Sequence, residues 1–237
     1  MKYTSILFVA AFAMLGASAF AQKPAGTYYV GANAGLNLRA TTATTSEKLD
    51  LAMYGEEVKI LEAAKDASMT VDGIKGGMAK VQSGGKTGYM FDGYLLPVPA
   101  PTKGEEVEKY AGRLWESGAD VFHEEIRRDW GGYAQFQYNL YFKDLSWSEA
   151  FIIARNLYSL PPALQYPGDK GSGELTTKNP NASAEAWTDE MVSKYVGGQV
   201  ASIIYSHRGE GGGSVISVVK SDEENYTIKI SELDIAD

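Results

Sequence analysis

Cysteine is absent from the 237 residues, so no disulfide can staple the fold, no thiolate can serve as a nucleophile, and no lipid-modified cysteine can tether the chain. Histidine is scarce. His123 and His207 are the only two, too few to build a zinc centre from convergent imidazoles. His123-Glu124-Glu125-Ile126-Arg127 begins like a zinc-peptidase motif, but Arg127 stands where the second imidazole belongs, and its permanent cation repels a metal. A Gly-x-Ser-x-Gly elbow is missing, which removes a common serine hydrolase arrangement. Gly209 to Gly213 is glycine-rich but lacks the Gly-Lys-Ser/Thr ending of a phosphate loop. The 22 basic residues form no run and face 30 acidic ones, for a net charge of -8, which argues against nucleic acid and anionic lipid as partners. No cofactor and no metal are expected.

Long apolar runs are also lacking, with one exception. Lys2 precedes the stretch Ile6 to Leu15, and Ala19-Phe20-Ala21 then offers a small-x-small site before Gln22. This pattern predicts a cleaved signal peptide at residues 1–21 and a periplasmic or secreted product. The run is well short of the ~20 apolar residues that span a bilayer, so no integral membrane segment is expected after cleavage.

From Tyr28 to Pro97 the chain alternates in short segments. Leu36/Leu38, Leu49/Leu51, Val58/Ile60 and Met69/Val71 are i, i+2 pairs, each placed on one face of a strand and expected to point into a core. Glycines from Gly73 to Gly88 supply the positive φ that tight hairpins need. The opening Leu36-Asn37-Leu38-Arg39, the central Gly55 to Leu61, the Ala79-Lys80-Val81 segment and the closing Gly88-Tyr89-Met90-Phe91-Asp92-Gly93-Tyr94-Leu95 together resemble a bacterial SH3 (SH3b) domain over residues 27–97. The chain departs from that pattern at Met78, where an aromatic is frequent, and at Ala40 to Thr45, where a proline turn is usual. The resemblance implies a small all-β barrel and a cell-envelope setting, in which such modules bind peptidoglycan or orient a neighbouring domain.

Pro97-Val98-Pro99-Ala100-Pro101 places a stiff linker at residues 98–103, because each proline fixes φ and disfavours helix just before it. Residues 104–237 are expected to form an α+β domain of no recognised family. A helix is expected over 105–117 and a strand over 133–142, where Phe136, Tyr138, Leu140 and Phe142 share a face. Ser146-Trp147-Ser148-Glu149 is a capping box that opens a helix from Trp147 to about Ser159, ended by Pro161-Pro162. Residues 166–182 read as a long loop and 184–195 as a second helix, with strands at 200–206, 214–220 and 226–233. The fold class expected is thus an all-β SH3-like barrel followed by an α+β domain.

Tyr28, Tyr29 and Tyr54 are candidate ligand contacts, since a phenol buries its ring while its hydroxyl meets a sugar or peptide group. Trp115 and Trp130 could line a groove; core packing is the competing role. Glu124, Glu125 and Asp129 form the best carboxylate cluster for glycoside cleavage, against the alternative of a solvated face paired to Arg127 and Arg128. The expected function, implied by the resemblance, is non-enzymatic recognition of a cell-envelope component, peptidoglycan or an envelope protein, through the SH3b module. A carboxylate-dependent wall hydrolase and a protein–protein inhibitor or assembly factor are the alternatives.

Overall fold

A computed structural model describes residues 22–66, 68–130 and 133–235, apart from the side chains of Trp130 and Tyr133. The signal peptide expected at residues 1–21 lies outside the described residues. The amino-terminal half contains β1 (Gly26–Val30), β2 (Leu36–Arg39), β3 (Lys48–Ala52), β4 (Glu57–Glu62), β5 (Met69–Val71), β6 (Ile74–Gly76), β7 (Met78–Ser83), β8 (Lys86–Phe91) and β9 (Leu95–Leu96). Seven of these form one antiparallel sheet in the order β3-β2-β8-β7-β4-β1-β9, while β5 and β6 make a separate hairpin. Of the four i, i+2 pairs, Leu36/Leu38 and Val58/Ile60 are buried as alternation demands. Leu51 and Val71 are exposed instead. The first lies on the sheet-edge strand β3, and the second on a hairpin that stands off the sheet.

The carboxy-terminal half contains α1 (Val107–Glu116), β10 (Val121–Trp130), β11 (Tyr133–Phe142), α2 (Trp147–Leu157), β12 (Gly173–Lys178), β13 (Ala186–Val196), β14 (Gln199–Gly209), β15 (Gly212–Lys220) and β16 (Ile228–Ile235). Its strands form a second seven-stranded antiparallel sheet, in the order β10-β11-β16-β15-β14-β13-β12. The expected SH3-like barrel followed by an α+β domain is therefore corrected: about 50% of the chain is strand and 11% helix, in two large antiparallel sheets with two α-helices among the described residues.

The differences have identifiable causes. Met191 and Tyr195, four residues apart, mimic a helical stripe, but both point inward from β13 on either side of the buried polar Ser193, which hides the alternation. Charged residues on both faces disguise β10 in the same way, and the loop expected at 166–182 contains the edge strand β12.

Helix α2 matches its expected start. Ser146 accepts from the Glu149 backbone N–H, and the Glu149 carboxylate accepts from the Ser146 N–H at 2.8 Å, completing the capping box. Eight of its eleven residues are buried, far more than one amphipathic face requires. On one side Ile152 abuts Gly31, and Asn156 Nδ2 donates to the Gly31 carbonyl at 3.1 Å. On the opposite side, by helical periodicity, Ala150, Ala154 and Leu157 face the sheet containing β15 and β16. The two sheets thus share one continuous hydrophobic core, running from Tyr28 to Ile230 through α2. The Pro97–Pro101 segment is packed as well: the carbonyls of Pro99, Ala100 and Pro101 accept from Tyr110, Arg113 and Tyr54.

Glu232 follows Ile228 and Ile230 on the inward face of β16, where burial, reinforced by the Asp234 charge, pushes its carboxyl up to about 7. Burial raises the Tyr138 and Tyr158 phenols, with the Glu232 and Asp234 charges adding to both and Glu125 to Tyr138, and the buried Tyr158 hydroxyl has no hydrogen-bond partner. Because the folded state holds this proton more tightly than the unfolded chain does, the stability it contributes is complete below pH 4.5 and is lost as pH rises through about 7. In thermal unfolding scans across that range, the advantage of Glu232→Gln over the wild type should grow with pH; a constant difference would contradict the assignment.

Candidate functional site

The candidate site is a groove of about 430 Å³, open where the first sheet meets the segment that follows α2. One wall is the β5–β6 hairpin. Its turn is Asp72-Gly73, with φ of 49° and 81°, both positive as in a type I′ hairpin loop. The Tyr166 N–H donates to the Asp72 carbonyl at 3.2 Å, and a Cβ added to Gly73 would stand 1.9 Å from the Tyr166 carbonyl oxygen. Backbone from the second half of the chain therefore clamps this wall, from which Met69 and Val71 line the groove. Met78, Phe91 and Tyr94 line it from the first sheet and the turn that follows it, Asn33, Asn37 and Arg39 from β2 and the loop before it, and Arg155, Leu160 and Pro162 from the end of α2 and beyond.

Arg155 is the distinctive group. Its guanidinium lies 5.6 Å from the Tyr94 ring centroid and 5.8 Å from that of Phe151, within cation–π range of both. Its Nε is buried with no hydrogen-bond partner, and no ion pair joins it to a carboxylate among the described residues. Tyr94 in turn donates its hydroxyl to Asp72 Oδ2 at 3.1 Å. Burial pushes the Tyr94 phenol up, with Arg155 opposing and Asp72 adding to the shift. Gln165 Nε2 reaches Asp72 Oδ1 at 3.4 Å. Arg39 braces its own loop, donating to the Ser46 carbonyl at 2.8 Å. The groove thus offers a cation with no carboxylate partner, a carboxylate and an apolar floor. Among the described residues, no group of three or more His, Asp or Glu could hold a metal ion.

The residues singled out from sequence are dispersed. Tyr28 is buried, donates to the Pro24 carbonyl at 3.1 Å, and lines a second, more polar cavity of about 740 Å³ at the start of α2. Tyr29 is half-buried on β1. The Tyr54 hydroxyl donates to the Pro101 carbonyl, and burial pushes its phenol up to about 12. Trp115 is exposed but anchored, its indole N–H donating to the Val121 carbonyl at 2.8 Å, and Trp130 ends β10. Glu124 and Glu125 are neighbours on a strand and so point to opposite faces. Glu124 accepts from Asn139 Nδ2 at 2.9 Å and from the Tyr141 hydroxyl at 3.2 Å, whereas Asp129 is exposed and paired with Arg127 at 3.0 Å.

Sequence reasoning does not bring out Arg155 and Asp72 as site residues, because they are far apart in the chain. The available signal is a single arginine directly after the apolar run Ala150 to Ala154, where no acidic residue lies at i+3 or i+4 to pair with it.

No protein-family model matches this chain, and no curated protein matches it. Among solved structures, a TesB protein from Mycobacterium avium subs. paratuberculosis aligns with 92% of this chain and 79% of its own, at 7% identity and a TM-score of 0.23. So low a score carries no argument about fold or function. Among the described residues no helix is long and apolar enough to cross a membrane.

Gly73→Ala tests how the groove wall is clamped. Alanine at positive φ costs about 1–2 kcal/mol, and at Gly73 the added carbon must also displace the Tyr166 backbone. Gly85 has a φ of 77°, and nothing lies within 4 Å of the place an added methyl would take, so Gly85→Ala incurs the conformational cost alone. Urea denaturation should show Gly73→Ala to be the more destabilising by more than ~1 kcal/mol; equal losses would mean that the close approach does not hold the hairpin.

Proposed function

We propose that this protein is exported and binds peptidoglycan of the bacterial cell envelope through the groove, without catalysing its cleavage. The observation that carries this reading is Arg155, a half-buried cation over an aromatic ring with no carboxylate partner, in a groove whose volume falls within the range of small-ligand sites. Half-burying a guanidinium with no carboxylate partner is costly, and an arriving anionic group would offset that cost. Peptidoglycan is rich in carboxylates. With a net charge of -8 the chain as a whole repels such a polymer, so attraction has to be local. The signal-like residues 1–21 support export, and the likeness of Leu36–Arg39 and Gly88–Leu95 to SH3b segments supports an envelope setting independently of any barrel fold.

Co-sedimentation with purified insoluble peptidoglycan tests the reading, with the supernatant assayed for released fragments. The wild-type protein is expected to sediment and to release nothing. Val71→Glu places an anion at an exposed position on the groove wall, where folding should be unaffected, and is expected to reduce the bound fraction at least tenfold. Binding that Val71→Glu leaves intact would move the site elsewhere. Release of fragments would overturn the non-enzymatic reading, and capture of an envelope protein with no sedimentation would replace peptidoglycan as the partner.

A further inference from the structure

The groove holds charges of both signs, and their arrangement is more specific than a general affinity for anions. Resting on the reading of the groove as the peptidoglycan site, we infer that it takes a short peptide by its ends: a free carboxylate at Arg155 and a free amine or N–H donor at Asp72, with aliphatic side chains against Met69, Met78 and Phe91. Three observations carry this.

Tyr94 organises the two charged groups. Arg155 lies over its ring, Asp72 accepts from its hydroxyl, and both charges act on that one phenol, yet no ion pair joins the cation to the anion. Two opposite charges that share a groove without neutralising each other complement a ligand that carries both signs. A ligand with only a negative charge, whether a simple anion or a fatty acid, would meet Asp72 as a repulsive neighbour.

The donors at Arg155 suit a carboxylate. The guanidinium presents a planar fork that matches two carboxylate oxygens. No carboxylate among the described residues takes that fork. The Asp72 carboxylate is held from two directions, by Tyr94 and Gln165, and is otherwise exposed, so it is already oriented when a ligand arrives.

The floor suits aliphatic side chains. Two methionines line it beside Phe91, and thioether side chains adapt to varied apolar shapes. Asn33 and Asn37 supply amides at the rim for peptide groups, whose alternating donors and acceptors an amide can match.

The test is isothermal titration of the full chain with the tetrapeptide alanyl-leucyl-alanyl-alanine, whose only charges are its ends, its carboxyl-amidated form and its amino-acetylated form. The wild type should prefer the free acid over the amide by at least tenfold, and the free amine over the acetylated form by a smaller factor. Arg155→Gln should bind acid and amide equally, and Arg155→Lys should recover part of the preference. Asp72→Asn should lose the discrimination against acetylation while keeping the preference for the acid. Circular dichroism melting confirms that each variant is folded. A wild type that does not distinguish acid from amide would overturn the inference, as would an Arg155→Gln variant that still does. If no peptide binds while the protein still sediments with peptidoglycan, the peptide inference fails and the envelope reading stands, with the glycan as ligand. If it neither binds nor sediments, both fail.

Discussion

The structure depends on the burial of α2 from two sides. A helix in contact with a single sheet needs one apolar stripe, yet α2 has the apolar residues Ala150 to Ala154 in unbroken succession, with Asn156 and Leu157 after them. Only a second packing surface makes that pattern stable in water, and the first sheet provides it through Gly31 and Leu96. Each fully buried Phe, Ile or Leu contributes about 1.5–3 kcal/mol relative to exposure. Lacking disulfides, the chain has no covalent substitute for this seam. Polar groups fix its register. Asn156 bonds to Gly31, and Glu149 caps the helix while pairing with Lys23, so both ends of α2 are tied to the amino-terminal half.

The groove is a consequence of the same seam. Its walls come from segments as distant as Ala32 and Pro162, and they meet because α2 delivers Arg155 to Tyr94 while the following chain carries Tyr166 to the Asp72-Gly73 turn. Tyr166 is itself packed against Phe151 of α2, with ring centroids 5.5 Å apart. Helix, clamp and hairpin therefore form one connected set. Under the proposed peptidoglycan reading, rigid placement of Arg155 and Asp72 would favour binding, because groups held in place beforehand lose little freedom when a ligand arrives.

Sequence pattern is most legible where alternation or capping is clean. Leu36/Leu38 and Val58/Ile60 mark buried strands, Phe136 to Phe142 marks β11, and Ser146-Glu149 marks the start of α2. It misleads where one polar inward residue breaks a period, as Ser193 does in β13, and where a strand is solvated on parts of both faces, as in β10. The expected α+β half differs from the observed one for these reasons, since the strands hidden in this way belong to the second sheet; in the first half, the alternation marks strands but not how many join one sheet, and seven do where a small barrel is expected. The tyrosines and tryptophans suggest contact residues by their chemistry alone. In the fold, several of those polar tips are occupied by backbone carbonyls, as in Tyr28, Tyr54 and Trp115. Arg155 is not legible because its significance lies in what it lacks, a charged partner, and that is a property of three-dimensional neighbours.

The central claim is that α2 welds the two sheets into one cooperative unit. Native-state hydrogen exchange on the wild type and on Ile152→Ala tests it most directly. Truncating a buried isoleucine costs about 2–5 kcal/mol, and the account predicts that slow amides of β7–β8 and of β14–β15 lose protection by the same amount, since both open only by global unfolding. Loss confined to one sheet, with the other unchanged, would show two independently folding halves and contradict the claim.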